Sequence, residues 1–174
     1  MPNFEFTGET RIRLGVTFKR IRATVDIGFL AKAGDIGGWI EKVNNLSGNA
    51  WVSGDASVSG YAEVSGNARV SDNARVFGNA RVSGDARVFG NAWVSQPLIA
   101  ATRSDRYLFF LARHGSETGP FVILAGCRYF TFAEAREHWT KTRGGTLLGD
   151  ESLALVDHLE RMSGLITSSD EASL

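Results

Sequence analysis

An aliphatic side chain returns every sixth residue from Leu46 onward, at Val52, Val58, Val64, Val70, Val76, Val82, Val88 and Val94. Four residues after each of the first eight stands an alanine, the series Ala50, Ala56, Ala62, Ala68, Ala74, Ala80, Ala86 and Ala92. Two residues after the aliphatic position comes glycine, with Asp72 the exception, and the next residue is Asn or Asp except at Tyr61. A period of six fits no helix, because valines at that interval scatter around a 3.6-residue turn and the Gly and Asn positions break it. Hairpin blades and sandwiches turn every 8–12 residues on longer strands, so they fit no better.

Strand alternation explains the spacing. In Ala-x-Val the first and third side chains share a face, while the middle one points the other way. Gly followed by Asn or Asp then supplies positive φ, or local side-chain bonds, for a sharp bend. Three bends close a triangular coil of eighteen residues, and stacked coils pair their strands in parallel about 4.8 Å apart. Val fills the interior and Ala the narrow corners. Burying each Val contributes roughly 1.5–3 kcal/mol, and stability accumulates only by stacking, because one coil cannot bury its own faces. The expected fold is mainly β: a short solenoid with an N-terminal β cap and a small C-terminal α+β domain.

These hexads, over residues 46–95, resemble the hexapeptide-repeat family of left-handed β-helices, whose motif is an aliphatic residue followed four positions later by a small one. The resemblance implies left-handed coiling and side-by-side packing of prisms into dimers or trimers. Here glycine stands two residues after the aliphatic position, whereas many family members place it immediately after. The stretch Lys32-Ala33-Gly34-Asp35-Ile36-Gly37-Gly38-Trp39-Ile40-Glu41, running into Asn45-Leu46-Ser47, resembles a lead-in of uncharacterised phage and prophage proteins that carry the same hexads. Ile40 lies six residues before Leu46, so the frame is expected to open there, with Asn44 in the slot Ala fills later.

The flanks give four segments: a cap over 1–39, the solenoid over 40–95, a ββαα domain over 96–166, and a frayed, acidic tail over 167–174. Residues 4–6, 11–14 and 16–25 read as short strands of the cap, needed because a solenoid end exposes unpaired backbone and apolar interior. Residues 106–112 and 120–126 read as an apolar hairpin around a polar turn. Thr131 reads as an N-cap with Glu134 at N3 for a helix over 132–141. Leu153, Val156, Leu159 and Met162 mark the apolar stripe of a helix after Asp150.

Residues eighteen apart stack, so the outward positions form columns: Trp51, Arg69 and Arg87; Ser57, Arg75 and Trp93; Glu63 and Arg81. Arg75 beside Trp93 is placed for a cation–π contact and Glu63 beside Arg81 for an ion pair, each worth about 0.5–1 kcal/mol at a surface. Arg69 beside Arg87 sets like charges on neighbouring strands, which calls for an anionic partner between them or for two side chains splayed into water. Phe77 and Phe89 replace Ser at the other outward position. Together with Tyr61, Trp51 and Trp93 they make an exposed aromatic surface of the kind that oligomer interfaces use.

Charge excludes several classes. Nineteen Lys plus Arg balance nineteen Asp plus Glu, so the chain lacks the basic excess of a dedicated nucleic-acid or membrane-surface binder. The solenoid also lacks the acidic face of a nucleic-acid mimic. No apolar run reaches bilayer-spanning length, and the opening Met1-Pro2-Asn3-Phe4 is no secretory signal, which points to the cytoplasm. Cys127 is the one cysteine, so an internal disulfide and a thiolate metal cluster are both excluded.

Chemical motifs are sparse, and no cofactor or metal is expected. The resemblance brings acyl transfer to mind, but that reaction uses a solenoid histidine and none occurs over 46–95. His114, His138 and His158 all lie in the C-terminal segment. Cys127 with His138 or His114 as base is the alternative nucleophile arrangement, set against the reading of Cys127 as a small buried side chain. Arg113, His114, Cys127, Arg128 and His138 are the candidate binding residues of that segment. The expected function is a non-enzymatic phage or prophage accessory protein that oligomerises and binds a host protein or a small anionic ligand, inhibiting a bacterial antiviral defence system. A virion assembly module and a degenerate acyltransferase are the alternatives.

Overall fold

The computed structural model describes residues 2–95 and 99–171, with side chains described through residue 166. Contacts divide it into two compact units, residues 1–98 with 115–117, and residues 99–114 with 118–174.

The first unit is the solenoid and its cap. Eight short rungs follow the hexads: β4 (Trp51–Val52), β5 (Ser57–Val58), β6 (Glu63–Val64), β7 (Arg69–Val70), β8 (Arg75–Val76), β9 (Arg81–Val82), β10 (Arg87–Val88) and β11 (Ala92–Val94). Parallel pairing joins them three apart: β4 to β7 to β10, β5 to β8 to β11, and β6 to β9. The ladder repeats at the eighteen-residue coil. Trp51 N–H donates to the Ala68 carbonyl at 3.0 Å, Ser53 N–H to Val70 at 2.9 Å, and Arg69 N–H to Ala86 at 2.8 Å. All hexad valines from Val52 to Val88, and the alanines among them, are at most 2 % exposed. They fill one continuous apolar interior.

The corners turn where glycine was expected to turn them. Gly66 sits at φ 69°, and a Cβ there would lie 2.9 Å from the amide nitrogen of Gly84 one coil on. Asp72 takes the same left-handed conformation at φ 62°, which Asp tolerates better than most residues. Its carboxylate accepts a hydrogen bond from Gly90 N–H at 2.9 Å, so the one non-glycine corner is tied to the next coil.

The cap is built from β1 (Phe4–Arg13), β2 (Val16–Ala23) and β3 (Ile36–Ile40). Residues expected as two strands, 4–6 and 11–14, form one strand that ends at Arg13, with an irregularity between Phe6 and Thr10 and Leu14 in the turn at φ 50°, and β2 stops at Ala23. β3 pairs antiparallel with β2 and parallel with β5, matching Trp39 to Ser57 and Ile40 to Val58. The hexad frame therefore opens at Ile40, which is fully buried. Gly37 and Gly38 close the prism end: a Cβ on Gly38 would lie 2.7 Å from Val52 Cγ1 and 2.8 Å from the Ala56 carbonyl. One detail differs from expectation. A 3-10 turn over Val43–Asn45 shifts the register, so Asn44 is exposed and Asn45 is the residue turned inward. The Asn45 side-chain amide donates to the carbonyls of Ala62 (2.8 Å) and Gly60 (3.2 Å) and its oxygen accepts from Lys42 N–H, which satisfies a polar group at 1 % exposure.

The second unit has four antiparallel strands in chain order, β12 (Ala100–Thr102), β13 (Leu108–His114), β14 (Phe121–Ala125) and β15 (Arg128–Phe130), then α1 (Phe132–Arg143) and α2 (Leu147–Glu171). The central hairpin and both helices match the ββαα expectation, with one short strand added on each side. Thr131 and Glu134 form the expected reciprocal cap, Glu134 N–H donating to the Thr131 hydroxyl and Thr131 N–H to the Glu134 carboxylate at 2.8 Å. Phe109, Leu111, Ile123, Ala135, Trp139, Val156 and Leu159 make the core. α2 begins three residues before Asp150 and carries the backbone helically through residue 171, where fraying was expected over 167–174; residues 172–174 lie outside the described residues.

Candidate binding surface

The stacked columns are in the register that the eighteen-residue coil demands. Trp51 lies beside Arg69 and Arg69 beside Arg87. Arg69 is half-buried and Arg87 exposed. Among the described residues, no carboxylate pairs with either guanidinium, and the Arg69 Nε is buried with no hydrogen-bond partner. The two like charges are thus held on adjacent rungs without a built-in neutralising group.

Trp51 does not belong to the exposed surface. Its ring is 2 % exposed, lying where a Cβ on Gly37 would approach Trp51 Cζ2 to 2.8 Å and Ile21 Cγ1 to 2.6 Å. The cap covers it, and only a glycine at 37 leaves room. Hexad register alone gives no warning of this, because the covering strand comes from outside the repeat.

In the second column the Arg75 guanidinium stands 4.3 Å from the Trp93 ring centroid, the cation–π contact expected from register, and Trp93 meets Phe77 edge to face at 5.6 Å. Both aromatics are half-buried, as is Phe89, while Ser57 is 4 % exposed. The exposed aromatic surface expected from five rings reduces to Tyr61, at 79 % exposure, with Lys42 Nζ 4.9 Å from its centroid. Arg81 reaches Glu63 at 3.9 Å with both side chains in solvent, a contact too long and too wet to contribute much.

The second unit disperses its candidates. His114 Nδ1 shares a 2.8 Å hydrogen bond with the Tyr129 hydroxyl, whose pKa burial pushes up. Arg113 donates to the Gly119 carbonyl at 3.1 Å and lies 4.1 Å from the Phe121 centroid. Arg128 and Cys127 are exposed, Cys127 in the tight turn between β14 and β15. The reading of Cys127 as a small buried side chain is therefore overturned: a two-residue turn points it outward. His138 stacks between Phe130 (5.1 Å) and Trp139 (4.8 Å), and burial, then the nearby Arg128, lowers its pKa. No hydrogen bond among the described residues joins the thiol to His114 or His138.

Two arginines outside the expected set carry more structure. Arg11 on β1 packs 4.3 Å from the Trp39 centroid and 5.8 Å from Phe18 while reaching Asp55 at 3.3 Å. Arg103, 3 % exposed, holds the Asp105 carboxylate at 2.7 Å and the Ser152 hydroxyl at 2.9 Å, with Trp139 5.3 Å away. The alternation Arg103, Asp105, Tyr107 hints at such a pair in the sequence, but only folding shows that the guanidinium goes inward.

The fold and the corner chemistry define a β-solenoid of six-residue repeats. Within it, the family model described as the YdcK beta solenoid repeat matches residues 62–78, 68–83 and 80–96, so these coils are similar to that repeat. No curated protein matches the chain. Among the described residues, no helix is long and apolar enough to cross a membrane, and no cluster of three His, Cys, Asp or Glu side chains is placed to hold a metal.

Proposed function

We propose that the chain is a non-catalytic, cytoplasmic binding module that self-associates through its solenoid and holds an acidic partner along the Arg69–Arg87 column. The observation that carries this is the pair itself: two guanidiniums in register on adjacent rungs, no carboxylate beside them among the described residues, and a buried Arg69 Nε left without a partner. A buried donor of this kind costs free energy until something accepts from it. An acidic surface of a host protein supplies carboxylates to the accessible guanidinium nitrogens of the half-buried Arg69 and the exposed Arg87, and a small anion is the other ligand the same groups would take. The absence of histidine over residues 46–95 favours binding over acyl transfer. Exposed Tyr61 and half-buried Phe89 are the solenoid positions that favour self-association. The resemblance of the residues leading into the hexads to phage and prophage proteins favours an accessory role, with inhibition of a bacterial antiviral defence as its purpose.

The test is affinity capture from bacterial lysate with the wild-type chain and with Arg69→Glu/Arg87→Glu, read by mass spectrometry, with light scattering on both. An acidic host protein captured only by the wild type, on an oligomeric bait, is the expected result. Equal capture by the reversed variant overturns the arginine column, a monomer overturns self-association, and virion proteins as the only prey would favour the assembly role. Thioester turnover would overturn the non-catalytic reading.

A further inference from the structure

The β1–β2 hairpin brings two arginines from outside the repeat alongside the β5–β8–β11 face. Arg11 and Arg13 lie two residues apart near the end of β1. Arg75 faces them from β8, and Asp55, Asn73 and Asn91 stand at corners eighteen residues apart. Two cavities result, of about 190 Å³ and about 290 Å³, and both are bordered by Arg13, Arg75 and Trp93. Leu14, Val16, Phe18, Val76 and Phe77 line the smaller one, with Glu117 as its one carboxylate. Arg11, Asp55, Asn73 and Asn91 line the larger. One end is apolar and the other is polar and cationic.

We propose that this cleft binds a small amphipathic anion, an aromatic ring system carrying a phosphate or carboxylate, with its ring in the apolar cavity and its charged group in the polar one. Three guanidiniums meet there against Asp55, which is already bonded to Arg11. Arg13 and Arg75 have no carboxylate or hydrogen-bond acceptor among the described residues; Arg75 has the Trp93 ring. Arg11 Nε is buried without a partner, and burial together with the nearby Arg13 and Arg20 charges disfavours its ionised form. An anion relieves that repulsion, and charge-assisted bonds to a planar guanidinium are the strongest polar contacts such a site offers. Asn73 and Asn91 add neutral amide donors at the same mouth. Glu117 lies in the apolar cavity, so repulsion orients the charged group to the other end. The site shares no residue with the Arg69–Arg87 column, and the two readings stand or fall separately.

Isothermal titration calorimetry of the full chain tests this with 1-naphthyl phosphate and 1-naphthoate, against 1-naphthol and inorganic phosphate as the two halves. At least one intact anion binds about ten-fold or more tighter than either half, since each half forfeits the contacts the other makes. Which of the two binds tighter identifies the headgroup. Arg13→Ala weakens binding about ten-fold, as does Arg75→Gln, whereas Lys141→Gln, exposed on α1, leaves it unchanged. Arg13 is exposed, so its variant retains the wild-type circular dichroism and keeps the test decisive even if Arg75→Gln loses its packing on Trp93. No binding of either anion at millimolar concentration, equal binding of 1-naphthol, or undiminished binding by Arg13→Ala overturns the proposal.

Discussion

Truncating Val70 to alanine tests the stacked interior at its middle. Val70 is fully buried between Val52 on the preceding coil and Val88 on the next. Removing two methyl groups forfeits about 1.6 kcal/mol of transfer free energy at roughly 0.8 kcal/mol each. The void left behind, roughly 40 Å³, adds about 1 kcal/mol if it stays open, at about 24 cal/mol per Å³. It stays open because the ladder holds both neighbouring coils: Ser53 N–H bonds Val70 at 2.9 Å and Ser71 N–H bonds Val88 at 2.9 Å. The expected loss is about 2.5 kcal/mol, equivalent to about 70-fold faster exchange of the Ser53 and Ser71 amides when exchange reports the opening equilibrium. Val70→Thr keeps the shape but places a hydroxyl among Val and Ala side chains, costing about 1–3 kcal/mol. Exposed Arg81→Ala should stay within about 0.5 kcal/mol of wild type. Hydrogen–deuterium exchange of the three variants decides it, and a loss under about 0.5 kcal/mol for Val70→Ala would refute a close-packed interior.

Gly38→Ala should destabilise the cap by about 1–3 kcal/mol, because its Cβ meets the Val52 side chain and the Ala56 carbonyl, while Gly164→Ala, inside α2 with open space around it, should stabilise by about 0.5–1 kcal/mol; urea unfolding compares the two. Arg103→Met should cost about 1–2 kcal/mol in the second unit, since it removes the charged donor to the buried Ser152 hydroxyl and leaves that hydroxyl only its 2.6 Å bond to the Leu148 carbonyl, and thermal unfolding would expose a null effect. The Arg103 guanidinium holds the Asp105 carboxyl at about 2, below the usual 3.8. The folded chain therefore binds fewer protons than the unfolded one between those values, so this contribution is present above about pH 4 and is lost as pH falls toward 2. In Asp105→Asn that part of the stability–pH slope should vanish, and an unchanged slope would remove the assignment.

Residues 46–95 determine their own fold. An aliphatic and an alanine at fixed places in each hexad, with a residue fit for positive φ at each corner, leave only a wound, stacked prism able to bury them, and the columns follow from counting by eighteen. The reciprocal Thr131–Glu134 cap and the apolar stripe on α2 were equally legible, because both are local. Three features needed the tertiary structure, each because a segment from outside the pattern comes to lie against it. The cap turns Trp51 from an outward residue into a buried one through Gly37; a short 3-10 turn exchanges Asn45 for Asn44 in the interior. The hairpin sets Arg11 and Arg13 beside Arg75, a charge cluster spread over more than sixty residues of sequence. Periodicity reports which face of a strand is apolar, but what covers the opposite face is decided by long-range contacts that no local spacing encodes.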